Sequence, residues 1–225
     1  MEKLIQNHKL KMHNPGFINY TYIVENVESK KGIIIDPSWE IDKLLRTITI
    51  HKIIPCAILL THSHYDHTNL VNRIVNIYPD IKVYISKVEA NYYNFTSKNL
   101  LYIEDEETLT INGFNIGCYL TPGHTKGSMI YHIDNNLYTG DTIFTEGCGI
   151  CSGRGGSSKD MYYSVQFIKK LSGDNIIWPG HAFRYSPGYT LSHLFTENLY
   201  FLIEDKDLFI KFSDRRNINN AFNFI

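Results

Sequence analysis

The chain has 225 residues, of which 43% are hydrophobic and 20% are charged, as is typical of a globular protein with a buried core. Its formal net charge of -1 argues against a dedicated nucleic-acid-binding protein, because such proteins carry a basic excess. The amino-terminal segment has no apolar stretch typical of a signal peptide, and no window approaches the roughly 20 apolar residues of a membrane span. Four cysteines in a chain of this length do not indicate a disulfide framework, so we expect a cytoplasmic protein with reduced thiols and no membrane partner.

The first half of the chain alternates between strand-like and helix-like patterns. The run CAILLTH is continuously apolar, as expected for a strand buried on both faces, and Ser38 is the predicted N-cap of the helix that begins there. In chain order, the predicted elements are strands 19–26 and 31–37, a helix 38–48, a strand 56–62, a helix 66–78 and a strand 81–86.

The second half repeats this order. Asn112-Gly113 predicts a tight hairpin turn, and a second hairpin is predicted to turn at Asn135-Asn136. The predicted elements are a hairpin 107–121, strands 128–134 and 137–141, a helix 158–171, a strand 175–181 and a helix 190–204. Two halves that each run from strands to helices predict an α/β sandwich, in which two sheets pack face to face with helices outside.

Three histidines and an aspartate are concentrated directly after the strand predicted at 56–62: His62, His64, Asp66 and His67. Because alternate residues of an extended segment lie on one side, His62 and His64 can reach the same ion. Asp66 and His67 lie at the following turn and could serve a second ion nearby. Imidazole and carboxylate are typical zinc ligands, so the cluster predicts a metal site at this strand end.

Three further candidate ligands each follow a glycine at the junction of a strand and a loop: His124, Asp141 and His181. Taken singly, each is more typical of a turn residue than of a ligand. Together with the first cluster they complete two sets of three or four ligands, with one carboxylate to share. The remaining histidines fit neither set and are interpreted as surface or packed residues: His8, His13, His51, His132 and His193.

With these seven residues in place, the sequence resembles the metallo-β-lactamase superfamily, whose hallmark is H-x-H-x-D-H followed by separate His, Asp and His. The resemblance covers roughly residues 17–181 and implies a four-layer αβ/βα sandwich, with a single domain over 1–225. It also implies two zinc ions per chain, held at the edges of the sheets. The implied ligands are His62, His64 and His124 for one ion, Asp66, His67 and His181 for the other, and Asp141 as the bridge.

Details of the pattern narrow the resemblance within the superfamily. Secreted β-lactamases of this type usually carry Cys at the position of Asp141, and the related diiron flavoproteins carry Glu at the position of His64. The stretch GDTIFTEGCG followed by MYYSVQFIKKL resembles hydroxyacylglutathione hydrolases (glyoxalase II), but Phe183 stands where those enzymes usually have a Tyr that contacts glutathione. The segment TEGCGICSGRGG is closer to the zinc-dependent acyl hydrolases of bacterial trans-acyltransferase polyketide clusters.

That resemblance implies hydrolysis of an acyl thioester on the phosphopantetheine arm of an acyl carrier protein, by a metal-bridging hydroxide. Asp66 is the predicted catalytic residue, which orients the hydroxide or takes its proton. Asp36 either holds the second N–H of a ligand histidine or forms an ordinary Asp-Pro turn. The alternatives left open are glyoxalase II, a mononuclear iron persulfide dioxygenase, a lactonase or other ester hydrolase, and a thiol- or metal-binding module without activity.

A C-x-x-C pair lies in the glycine-rich loop at 146–156. The loop lacks the Lys-Ser/Thr pair of a phosphate-binding P-loop, and a zinc knuckle would need a second ligand pair. A redox dithiol would normally open a helix, although oxidation of the pair stays open. We therefore predict that the loop lines the metal site and leaves room for a thioester arm. The predicted substrate contacts are Cys148, Cys151, Arg154, Phe183 and Arg184.

An acidic carrier protein would bind a rim of basic side chains around the site. The candidate residues are Arg154, Lys159, Lys169, Lys170 and Arg184. The alternative is that these are scattered, solvated side chains.

Overall fold

A computed structural model describes residues 5–216 of the chain and contains two β-sheets. The six-stranded sheet has the order β1-β2-β3-β4-β5-β6. Its first three strands are antiparallel, and β3 to β6 run parallel. The strands are β1 Ile5–Asn14, β2 Phe17–Asn26, β3 Lys31–Ile35, β4 Ile54–Leu59, β5 Lys82–Ser86 and β6 Leu100–Ile103.

The five-stranded sheet has the order β11-β10-β9-β8-β7. It is antiparallel except for the pairing of β10 with β11, which is parallel. The carboxyl ends of β8, β10 and β11 therefore lie at one edge of this sheet. The strands are β7 Thr108–Ile111, β8 Phe114–Leu120, β9 Met129–Ile133, β10 Asn136–Gly140 and β11 Ile176–Pro179.

Helices cover the outer face of each sheet, which produces the predicted four layers of an αβ/βα sandwich. One core lies between the sheets, where the rings of Tyr22 and Tyr138 are 5.6 Å apart. Two further cores lie between each sheet and its helices. The helices are α1 Ile41–His51, α2 Tyr65–Thr68, α3 Val71–Ile77, α4 Lys87–Tyr93, α5 Ser158–Ile168, α6 Leu191–Glu197, α7 Leu199–Leu202 and α8 Lys206–Arg216. Among residues 5–216, no helix is both long and apolar enough to span a membrane.

Several local predictions hold. Asn112 and Gly113 both have positive φ, 47° and 87°, as the tight turn between β7 and β8 requires. All nine strands expected from the sequence, counting two for the hairpin 107–121, are present, with boundaries shifted by a few residues. The helices predicted at 66–78 and 190–204 are each divided into two short helices. In the second case the division falls at Asn198, whose side chain accepts a hydrogen bond from the amide of Tyr200 and so caps α7.

Two predictions are wrong. Ser38 is not the N-cap of α1, which begins at Ile41 after Glu40. The amide of Ser38 instead donates to the hydroxyl of Thr21 on β2, so the residue belongs to the loop that follows β3. The second hairpin does not turn at Asn135-Asn136, because Asn136 already pairs with Ile133 in β10.

Four elements lie where no element was predicted: β1, α4, β6 and α8. The strand β1 reads as a polar, basic segment, yet it pairs along its whole length with β2. Residues 1–4 and 217–225 of the predicted domain lie outside the described residues.

Candidate metal centre

The carboxyl ends of strands from both sheets supply the predicted ligands. His62, His64, Asp66 and His67 follow β4, and His124 follows β8. Asp141 comes directly after β10, and His181 comes two residues after β11. The parallel pairing of β10 and β11 brings the last two residues to the same edge. The structure therefore brings all seven predicted ligands to one place, from segments that are far apart in the sequence.

The first group consists of His62, His64 and His124, whose candidate ligand atoms all lie within 4.8 Å of one another. His124 Nε2 lies 3.0 Å from His64 Nδ1, so His64 presents Nδ1 to the group and His124 presents Nε2. The ring of His62 lies 4.7 Å from that of His64 and 5.0 Å from that of His124. Three imidazoles at these separations form a donor set of the kind that binds zinc.

The second group consists of Asp66, His67 and His181, again with ligand atoms within 4.8 Å of one another. Asp66 Oδ2 lies 3.5 Å from His67 Nε2 and 3.3 Å from His181 Nε2. The side chain of Asn19 donates to the same oxygen over 3.0 Å. One carboxylate and two imidazoles make a second donor set beside the first.

Asp141 lies between the two groups. Its Oδ1 is 3.4 Å from His67 Nε2, and its Oδ2 is 3.5 Å from both His124 Nε2 and His181 Nε2. Because it contacts histidines of both groups, Asp141 has the position expected of a shared ligand.

Hydrogen bonds to Nδ1 fix the orientation of the ligand imidazoles. Asp36 Oδ2 lies 3.0 Å from His67 Nδ1 and accepts from the Thr61 hydroxyl over 2.6 Å. The same hydroxyl oxygen lies 3.0 Å from His62 Nδ1. Backbone carbonyls hold the other two rings, Ile150 for His124 and Ile18 for His181, each over 2.7 Å. Each of these four rings therefore turns Nε2 toward the centre, which is the usual arrangement around a metal.

Burial keeps the first group of imidazoles neutral. Burial and the neighbouring His67 and His64 lower the pKa of His62 well below its ordinary value. Burial also lowers the pKa of His64, and it lowers the pKa of His124 to about 4. At neutral pH these three rings therefore carry a free lone pair, as ligation requires.

In the second group, the charges of neighbouring side chains outweigh burial in setting the pKa values. Burial would raise the pKa of Asp66, but His67 and hydrogen bonds from His181 and Asn19 hold it well below its usual range. Burial would lower the pKa of His67, but Asp141 and Asp66 raise it well above the ordinary value. A metal that binds His67 must displace a proton, so binding here is coupled to proton release.

One buried atom tests whether the residues fit a metal. His62 Nε2 is buried and makes no hydrogen bond, although a buried polar atom without a partner is costly. The same atom lies beside His124, whose Nδ1 is engaged by the carbonyl of Ile150, so that its Nε2 is an acceptor and offers no proton. A cation fits this place, because it would give the buried lone pair of His62 Nε2 a partner.

Two glycines permit the close approach of the segments. A Cβ on Gly180 would lie 2.5 Å from His67 Cε1 and 2.6 Å from Asp141 Oδ1. A Cβ on Gly149 would lie 2.1 Å from the carbonyl oxygen of Asp141. Any side chain at either position would displace a ligand, so the glycine of WPGH is required by space around the site.

Glu89 is a functional candidate that the sequence analysis missed. It lies on α4, is fully buried, and its carboxylate accepts four hydrogen bonds. Oε1 accepts from the amide and hydroxyl of Ser63, both over 2.8 Å. Oε2 accepts from the Thr125 hydroxyl over 2.9 Å and the Gly127 amide over 2.8 Å. Glu89 thus joins the loop of His62 and His64 to the loop of His124, although the local sequence SKVEAN shows only a helix-forming acid.

The predicted substrate contacts fall into two kinds of environment. Cys148 and Cys151 are buried in the core between the five-stranded sheet and its helices, and burial raises the pKa of Cys151 to about 11. Arg154 is exposed and stacks over Tyr92 and Tyr93, with distances of 5.4 Å and 5.7 Å to the ring centroids. The burial of the two thiols favours a packing role over contact with a substrate.

The other predicted contacts lie near His181. The half-buried ring of Phe183 packs 5.1 Å from Phe144, whose ring is 6.1 Å from that of His181. Arg184 is exposed, with its guanidinium 4.9 Å from the centroid of Tyr185. Of the proposed basic rim, Lys169 is engaged elsewhere, because its ammonium donates to the carbonyl of Phe201 on α7.

The chain is similar in sequence and in fold to known proteins. Residues 13–181 match the family model described as the metallo-beta-lactamase superfamily. The chain is 42% identical over 218 residues to the probable polyketide biosynthesis zinc-dependent hydrolase PksB of Bacillus subtilis (strain 168), with 96% of each chain covered. It is 34% identical over 176 residues to a hydroxyacylglutathione hydrolase of Salmonella arizonae, covering 78% of this chain and 64% of that protein. The crystal structure of ETHE1 from Myxococcus xanthus has a similar fold, with a TM-score of 0.84, 19% identity and coverage of 96% and 94%.

Proposed function

The chain belongs to the metallo-beta-lactamase superfamily, and we propose that it is a dinuclear zinc hydrolase that cleaves acyl thioesters. The observation that carries this proposal is the meeting of two donor sets around Asp141, with His62 Nε2 buried and without a hydrogen bond. Its relative PksB, by name a zinc-dependent hydrolase of polyketide biosynthesis, supports an acyl group on the phosphopantetheine arm of an acyl carrier protein as the substrate.

The residues that would hold the metals follow from the two groups. His62, His64 and His124 would bind one zinc ion, Asp66, His67 and His181 would bind the second, and Asp141 would contact both. Two zinc ions held in this way would activate water as a nucleophile at neutral pH and would polarise a carbonyl group.

The chain's own residues set the remaining conditions for hydrolysis. The side chain of Asp66 keeps 19% of its surface exposed, whereas the other carboxylate, Asp141, is buried. The side chain of Asn19 fixes the Asp66 carboxylate, and the low pKa of Asp66 keeps that carboxylate ionised. Asp66 can therefore accept a hydrogen bond from the attacking water and orient the water. The leaving group is a thiolate whose conjugate acid has a pKa of about 8.5, so the site needs no strong general acid.

Aromatic side chains lie beside several of the ligands and would suit an acyl or pantetheine chain. Tyr65 lies between His64 and Asp66 in the sequence and is 74% exposed. The ring of Tyr93 lies 6.4 Å from that of His64, and Phe144 lies beside His181. Tyr65 is exposed, Tyr93 is half-buried and Phe144 is buried, and apolar and aromatic side chains beside a few polar groups are typical of small-molecule sites. Arg154 beside Tyr93 and Arg184 beyond Phe183 would meet the phosphate of the arm or acidic groups of the carrier.

A metal analysis combined with a thioester panel tests the proposal. The purified, tag-free protein should contain two zinc ions per chain and hydrolyse acyl carrier thioesters faster than thioesters of coenzyme A, glutathione or simple pantetheine mimics. Preference for hydroxyacylglutathione would assign it to glyoxalase II instead. Iron at one ion per chain, with oxygen consumption on a persulfide, would assign it to the dioxygenases.

The role of the two arginines can be tested by charge reversal. Arg154→Glu or Arg184→Glu is expected to raise the KM for an acyl carrier thioester about tenfold, the loss of one charge-assisted hydrogen bond of about 1.5 kcal/mol. The KM for a pantetheine mimic without phosphate should not change. Lys82→Glu is the matched control, because Lys82 is exposed at the opposite, amino-terminal end of β5. Unchanged carrier kinetics in both arginine variants would rule out this docking surface.

A further inference from the structure

A second group of metal-ligating side chains lies away from the candidate metal centre, on the outer face of the six-stranded sheet. It consists of His8 on β1, Glu25 on β2 and His51, the last residue of α1. The candidate ligand atoms of these three residues all lie within 4.8 Å of one another. His8 and Glu25 are buried, and His51 is exposed. Three separate elements therefore bring two imidazoles and one carboxylate to a single point that remains open to solvent.

The contacts within this group leave the ligand atoms of its three side chains close enough together to bind a metal ion. His8 Nε2 lies 2.7 Å from Glu25 Oε2, and the rings of His8 and His51 are 4.2 Å apart. Lys30 binds the other oxygen of Glu25, with its ammonium 2.8 Å from Oε1. Oε2 is therefore the oxygen that faces His8, while Lys30 holds the carboxylate in place through its other oxygen.

We propose that His8, Glu25 and His51 form an accessory binding site for a divalent transition metal ion such as zinc. Two histidines and one carboxylate are a common zinc ligand set, and an exposed fourth position is then filled by water. The 2.7 Å separation of His8 Nε2 and Glu25 Oε2 is shorter than the roughly 3.3 Å between two ligands of one tetrahedral zinc ion. Binding therefore displaces the proton between these two atoms and moves the His8 ring back by a few tenths of an ångström.

An ion at this site would join the edge strand β1 to the end of α1. A ligand that binds only the folded chain stabilises it by mass action, and here the stabilised contact is between the amino-terminal strand and the helix layer. The site contains none of the seven residues of the proposed catalytic centre. Its existence is therefore independent of the proposed function.

Zinc titration of the tag-free holoprotein tests the site. The parent protein, already loaded at its catalytic centre, is expected to bind one further zinc ion per chain by calorimetry and to gain about 3 °C in Tm. His51→Ala should abolish both effects while leaving the metal content of the untitrated protein unchanged, because His51 is exposed and ends its helix. His51→Gln serves as a second variant that keeps the side chain's bulk.

His13→Ala is the matched control, because His13 also lies on β1 and its side chain is 54% exposed. It should bind the further zinc ion as the parent does. No further zinc in the parent protein, or an equal zinc uptake and Tm gain in His51→Ala, would overturn the proposal.

Discussion

The Asp141→Ala variant is expected to lose thioester hydrolysis by about 100- to 1000-fold, because it would lose metal ions that stabilise transition-state charge, and loss of such a group has an effect of that scale. It should also bind fewer metal ions than the parent protein. Asp141 is buried, and burial alone would raise the pKa of its carboxyl group, but His181 and His67 hold the pKa well below the usual range. The carboxylate is therefore a permanent negative charge between the two histidine groups. Its removal would leave the two metal sites without their shared ligand.

Metal content and kinetics measured on the same preparations separate the two effects. Asp174→Ala is the matched control, because Asp174 is an exposed residue just before β11; it should keep both metals and full activity. If Asp141→Ala retained two metals and parental activity, Asp141 could not be the shared ligand, and the proposed dinuclear centre would be wrong.

Much of the fold could be predicted because local and long-range signals agree. The buried strand β4 is a continuous apolar run, and Asn112-Gly113 strongly favours a tight hairpin turn. The ligands were predictable for a different reason: His62, His64, Asp66 and His67 are too concentrated to serve packing. His124, Asp141 and His181 became interpretable only as partners of that cluster, since each follows a glycine at the end of a strand.

The missed features depend on contacts that no local pattern encodes. In β1 the buried residues His8, Leu10 and Met12 alternate with exposed or half-buried ones, but lysines and histidines obscure the period of two. The grouping of His8 with His51 requires α1 to lie across the first two strands, which only the folded chain shows. The same holds for Glu89, whose donors come from loops on two different sheets.

A large effect is also expected at Glu89, which touches no ligand directly. Glu89→Gln keeps the size of the side chain but replaces one acceptor oxygen with an amide group. The amide group would face either the Ser63 amide or the Gly127 amide, and two N–H donors cannot satisfy each other. One of the two loops must then move. Because partners that orient metal ligands contribute about 10- to 100-fold to metal affinity, we expect Glu89→Gln to lower the zinc affinity by a factor of that size.

The measurement must distinguish positioning from a general loss of stability, since an unsatisfied buried donor also destabilises the fold by about 1–3 kcal/mol. Zinc affinity by competition with a chelator and Tm of the metal-free protein report the two effects separately. Glu104→Gln is the control, because Glu104 forms an exposed pair with Lys87, the first residue of the same helix. A Glu89→Gln protein with lowered Tm but parental zinc affinity would make Glu89 a structural residue only. Reduced affinity with a modest change in Tm would mean that the buried carboxylate sets the separation of His62 and His64 from His124, and with it the geometry of the first metal site.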